Sequence, residues 1–209
     1  MSDKFSCSFG TLEIIAAAMH DIAPEHRSAF ANRMKHYQRL GFPAGINTGR
    51  GRAATYKAEH VFLLCFALEF AQLGLTTENA IPLISEHLSL VAGAAKEALW
   101  RKFYEKEADF TFIFFDPARL YPLTNERGWN EDEFSIRGKL AYGNTDIALA
   151  LLKEGILRER RFVMLNVSEI IDQISQQIVR LDGPDQEKVF SSDLLMWASA
   201  LSDQDAAKA

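Results

Sequence analysis

Seven cations lie between Glu25 and Glu59 with no carboxylate among them: Arg27, Arg33, Lys35, Arg39, Arg50, Arg52 and Lys57. His26 and His36 share the stretch. Guanidinium and ammonium groups gathered in this way suit one kind of chemistry, the binding of phosphate oxygens, and arginine can also pair with a base edge. Near the start of the basic helix expected here, Arg27, Ser28 and Asn32 are placed to read bases, because Arg pairs with guanine and Asn with adenine. Further along, Arg33, Lys35, His36 and Arg39 suit phosphates. Thr48, Arg50 and Arg52 lie in the glycine-rich Thr48-Gly49-Arg50-Gly51-Arg52, a surface turn with no structural need for two arginines. Tyr56 and Lys57 open the next helix, whose free backbone N–H groups favour an anion. Tyr56 fits a core position equally well.

Other chemistries find little support. The five histidines (His20, His26, His36, His60 and His87) have no metal-ligand spacing, so no metal and no cofactor are expected. His60, opening an apolar helix, reads as a hydrogen-bonded core histidine. No nucleophile elbow or phosphate-cradling loop occurs. Asp116, Glu126 and Asp132 lack catalytic spacing, so the chain is not expected to be an enzyme and no catalytic residue is assigned. Cys7 and Cys65 form no C-x-x-C, which fits a reducing cytoplasm. The N-terminus has no apolar leader, and the longest apolar run, Val61 to Leu68, is far short of the roughly 20 residues of a membrane helix.

Of 209 residues, 23 are Lys or Arg and 28 Asp or Glu, a net charge of -5 that taken alone argues against a polyanionic partner. Divided by position, it becomes +7 over residues 26–58 and -12 elsewhere. Exposed charges are screened beyond roughly 8–10 Å, so the local balance governs attraction.

The elements that must position these residues follow from periodicity. Thr11 is expected to cap a short helix from Leu12 to about His20, with Leu12, Ile15, Ala16 and Met19 on one face. Asp21-Ile22-Ala23 breaks it. A basic helix follows from Pro24 to Leu40, with Phe30, Met34, Tyr37 and Leu40 as its apolar stripe and Gly41 as its stop. Residues 42–56 predict two short strands around the arginine turn. Lys57 to Leu73 predicts a buried helix, and Thr76 or Thr77 caps another reaching about Lys106. Strands are then expected at 110–115, 139–142 and 162–165, with residues 145–153 open between helix and strand. The irregular stretch 116–135 is long enough to contact a ligand or partner. Asn166 or Ser168 caps a helix to about Leu181. In it Val167, Ile171, Ile174, Ile178 and Leu181 keep a 4, 3, 4, 3 spacing, the seam of a candidate dimerisation helix. The end of the chain, Gly183 to Ala209, holds one more short apolar stretch, Leu194 to Trp197, followed by a polar, alanine-rich tail.

The stretch from about Leu12 to Ile84 resembles the winged helix-turn-helix domain of the MerR family of transcription regulators. The resemblance is carried by Tyr37-Gln38-Arg39-Leu40-Gly41-Phe42, by the Gly-Arg turn, and by Tyr56, Val61, Leu64, Phe70, Leu73, Gly74 and Leu75-Thr76-Thr77-Glu78. Asp21-Ile22-Ala23 stands where the family usually has a glycine-containing turn. The resemblance implies binding to double-stranded DNA, with the basic helix in the major groove and the wing arginines on the minor groove or phosphates.

The expected fold class is mainly α with a small β component (α+β). An N-terminal winged helix-turn-helix with linker helix occupies 1–106, an α+β dimerisation or sensing module 107–185, and a partly disordered tail 186–209. The expected function is that of a sequence-specific transcriptional regulator, a homodimer in the cytoplasm at the nucleoid, with the C-terminal module as the place for a protein or small-molecule effector. The alternative is an adaptor whose basic patch binds an acidic protein.

Overall fold

The computed structural model describes residues 4–46, 53–104, 109–115, 140–153 and 163–206. It is mainly helical with two small antiparallel sheets, as the α+β expectation holds. Its residues form two compact units, neither continuous in sequence: 1–81 with 170–197, and 82–169 with 198–209. This division runs differently from the three consecutive pieces expected.

In the first unit, strand β1 (Cys7–Ser8) pairs antiparallel with β2 (Thr55–Tyr56), Cys7 opposite Tyr56. Helix α1 (Phe9–Met19) follows β1 directly. Its cap is Ser8, whose Oγ accepts from the Thr11 N–H at 3.2 Å, and not Thr11 itself. Leu12, Ile15, Ala16 and Ala17 are buried. The helix ends where Ile22 N–H donates back to the Ala17 carbonyl at 2.9 Å. That closure forces Asp21 into the left-handed region at φ 49°, which a side chain tolerates poorly.

A single 3-10 turn at Pro24–His26 leads into α2 (Arg27–Arg39). Phe30, Met34 and Tyr37 form its buried stripe, while Leu40 is exposed past its end. Beneath it lies α3 (Ala58–Gln72), whose residues from His60 to Leu68 are all buried, as an apolar sequence on every side requires. Tyr37 ties the two together, its hydroxyl donating to the Ala67 carbonyl at 3.2 Å.

The helix expected from Thr76 or Thr77 to Lys106 is two helices, α4 (Thr77–Glu86) and α5 (Leu88–Tyr104), interrupted at His87. Pro82 inside α4 offers no N–H to the helical ladder.

In the second unit α5 packs on a three-stranded sheet of order β4-β3-β5: β3 (Thr111–Phe115), β4 (Ala141–Asn144) and β5 (Val163–Asn166). The central β3 is antiparallel to both neighbours, with Ile113 opposite Tyr142 and Leu165. The outer strands therefore run parallel to each other, joined through α6 (Thr145–Lys153) in a split β-α-β arrangement. Residues 145–153, open in the sequence, are helical because Asn144 Oδ1 accepts the Ile147 N–H at 3.1 Å and Asp109 Oδ1 the Thr145 N–H at 3.1 Å.

The same device starts α7 (Val167–Asp182): Asn166 Oδ1 accepts from the Glu169 N–H at 3.0 Å, so Asn166 is the cap. Ser168 serves β3, its Oγ accepting from the Thr111 N–H at 2.9 Å. Gly183 (φ 87°) turns the chain into α8 (Pro184–Ala206). That 23-residue helix stands where a tail was expected. Alanine is the strongest helix former, and Phe190, Leu194 and Ala198 make a buried stripe at intervals of four. Phe5 packs edge-on against Phe190, ring centroids 5.1 Å apart, and its N–H donates to Asp193 Oδ2 at 2.7 Å.

Candidate nucleic-acid interface

The outward face of α2 follows from its buried one. With Phe30, Met34 and Tyr37 inward, Ser28, Asn32, Lys35 and Arg39 line the opposite side at intervals of four, three and four, and Arg33 lies beside them. All five are exposed. No carboxylate occurs on the helix. Among the described residues, Arg33 and Arg39 form no ion pair. Lys35 Nζ lies 5.6 Å from the centre of the Phe9 ring, a contact that orients the ammonium group and leaves its charge in place.

Two other sequence-chosen residues are engaged within the first unit. Arg27 Nη1 meets Glu13 Oε1 of α1 at 2.9 Å, and His36 Nε2 meets Glu78 Oε1 of α4 at 2.9 Å. The hydrogen bond from His36 is the main cause that holds the Glu78 carboxyl below its ordinary range. Neither glutamate was chosen from sequence as a site residue, Glu78 entering only through the Leu75–Glu78 motif. They stand 14 residues before Arg27 and 42 after His36, on other helices, so no local spacing signals them. Lys57 is exposed, with Nζ 3.7 Å from Glu59 Oε1.

Tyr56 is fully buried, and its hydroxyl receives a hydrogen bond from Gln38 of α2. Burial pushes its pKa up to about 12. Of its two sequence readings the core one holds: Tyr56 supports α2 from below and presents nothing to a partner. His60 is also internal, its Nδ1 accepting from the Lys57 N–H at 3.2 Å. Thr48, Arg50 and Arg52 lie outside the described residues, as does the 116–135 stretch with Asp116, Glu126 and Asp132.

Under the face sits a polar contact among three helices. His20, at the end of α1, has Nδ1 3.8 Å from Glu69 Oε1 of α3, with its ring 6.2 Å from that of Phe30 on α2. The His20 side chain is 4% exposed, and its Nε2 has no hydrogen-bond partner among the described residues. Burial lowers the His20 pKa and raises that of Glu69.

The proposed seam residues Val167, Ile171, Ile174 and Ile178 are all buried within one chain, and only Leu181 is exposed. The stripe is thus filled without a second copy. No group of His, Cys, Asp or Glu among the described residues could hold a metal ion, and no helix among them is long and apolar enough to cross a membrane. Comparison with protein families, with curated proteins and with solved structures gave no match for this chain.

Proposed function

We propose that this protein is a sequence-specific, DNA-binding transcriptional regulator of MerR-like type. The reading rests on one observation: α2 presents Ser28, Asn32, Arg33, Lys35 and Arg39 together on an exposed face, within 33 residues that contain no carboxylate. A helix of 13 residues is about 20 Å long and fits the major groove end-on or lengthwise. In this reading Ser28 and Asn32 meet base edges, Arg33, Lys35 and Arg39 take phosphates, and Arg50 and Arg52 reach the neighbouring minor groove or backbone. A homodimer on two half-sites supplies the remaining specificity, since one small module offers few base contacts. Its contact surface is sought outside the Val167–Ile178 stripe, which one chain already buries.

The test is a salt titration of binding to genomic DNA fragments. Arg33→Ala and Arg39→Ala are each expected to weaken binding across all sequences and to flatten the plot of log affinity against log salt by about one. Asn32→Ala should instead relax discrimination at one base pair, by roughly 1–3 kcal/mol. Arg50→Ala with Arg52→Ala should weaken binding further. If duplex DNA is not retained even at low salt, or the arginine variants bind as the wild type does, the reading fails; capture of an acidic protein that survives nuclease would then identify the partner.

A further inference from the structure

We infer that Glu13 and Glu78 trim the DNA footprint of α2, withdrawing Arg27 and His36 from the phosphate-binding set and leaving it to Arg33, Lys35 and Arg39. The inference rests on the DNA reading above and goes further, naming which cations count. The strength of phosphate binding follows the number of counterions released, which depends on net neutralisation and not on the number of arginines. A guanidinium already 2.9 Å from a carboxylate contributes no net charge toward a phosphate. The Arg27 and Glu13 side chains are only 38% and 20% exposed, so solvent screens their pairing less than that of a free surface pair. At the other end of the face Glu78 holds His36 at 2.9 Å and remains a carboxylate, since the hydrogen bond it accepts stabilises its ionised form. A phosphate approaching beside Arg27 or beside His36 meets a fixed negative charge. Between those contacts it meets Arg33 and, past His36 at the last residue of the helix, Arg39, neither of which has such a partner among the described residues.

The two glutamates thereby act as specificity devices. They restrain sequence-independent affinity while leaving the base-reading positions Ser28 and Asn32 untouched, which raises the ratio of specific to non-specific binding.

The experiment measures affinity of the full chain for a labelled mixed-sequence DNA duplex against salt, with helical content checked by circular dichroism for each variant. Arg27→Ala with Glu13→Gln, which removes both charges of the pair, is expected to keep the wild-type slope, whereas Arg33→Ala flattens it by about one. Glu13→Gln should steepen the slope by about one and tighten low-salt binding by roughly three- to tenfold. Adding Arg27→Ala to Glu13→Gln should return the slope to that of wild type, an outcome that a merely structural pair does not give. Glu78→Gln should tighten non-specific binding at low salt without loss of sequence preference. A slope left unchanged by Glu13→Gln, or lowered by the double variant as much as by Arg33→Ala, overturns the trimming while leaving the DNA reading intact. A wild-type protein without salt-dependent retention overturns both.

Discussion

His20 is the residue at which acid should act first. Its imidazole is almost completely enclosed, so a second proton would add charge in a site where Nε2 finds no acceptor among the described residues. The folded pKa lies below the ordinary 6.5, and the unfolded chain therefore binds a proton that the folded chain refuses. Stability falls as pH drops through 6.5 toward the folded value, and the full loss is reached below it. Glu69 works with the opposite sign: its raised pKa makes its ionisation unfavourable in the fold above the ordinary 4.5, so acid relieves it. Melting temperatures taken from about pH 7.5 to about pH 6 should decline in the wild type and stay flatter in His20→Gln. Equal slopes in the two proteins would remove His20 as the cause. One residue along, Asp21 carries its side chain at φ 49°, where glycine meets no penalty. Asp21→Gly is expected to raise unfolding stability by about 0.5–1 kcal/mol in denaturant titration, the lost strain outweighing the extra freedom of the unfolded chain.

The elements divide by how local their causes are. In α6, Ile147 lies so close over Gly143 that an added Cβ would come within 2.9 Å of the Ile147 Cβ, an atom fixed to the helix backbone. Gly143→Ala must therefore displace α6 from the sheet and should destabilise by about 1–3 kcal/mol in the same titration. Gly93→Ala meets only the outer ring atoms of the half-exposed Tyr142, which can swing aside, so a smaller effect is expected. Helices α1, α2, α3 and α7 and the three strands of the second unit were legible to within a few residues, because each has its own period and its own stop, such as the Gly41 and Gly74 that leave α2 and α3 at positive φ. The pairing of Cys7–Ser8 with Thr55–Tyr56 was not, since two-residue strands have no period and their partners are some fifty positions apart. Nor was α8, whose alanines read as tail until the stripe of Phe190, Leu194 and Ala198 found its cover. At the site, the exposed face of α2 could be read because the helix hides only Phe30, Met34 and Tyr37. The Glu13 and Glu78 contacts arise from helix packing and leave no trace in local spacing.

At the scale of the whole molecule, the unit that presents α2 is completed by the far end of the chain. Phe5 rests on Phe190 and bonds to Asp193, and Phe62 lies 6.3 Å from Trp197. A piece comprising residues 1–106, the span expected to stand alone, lacks all of these. Burying a phenylalanine contributes about 1.5–3 kcal/mol, a large share of a typical domain's 5–15 kcal/mol. The 1–106 piece should therefore show no cooperative thermal transition by circular dichroism, and a sharp transition would make α7 and α8 dispensable. Within the full chain, Leu194→Ala should cost about 2–5 kcal/mol in denaturant titration, since the side chain is fully buried.

The bond from Phe5 to Asp193 spans 188 positions, and that distance is also an interval of time. A ribosome adding roughly 5–20 residues per second exposes the basic helix well before α8 emerges to complete its core. During that interval the nascent chain carries a strongly cationic, unfinished segment close to ribosomal RNA. The core of that unit is closed only once synthesis has passed Trp197.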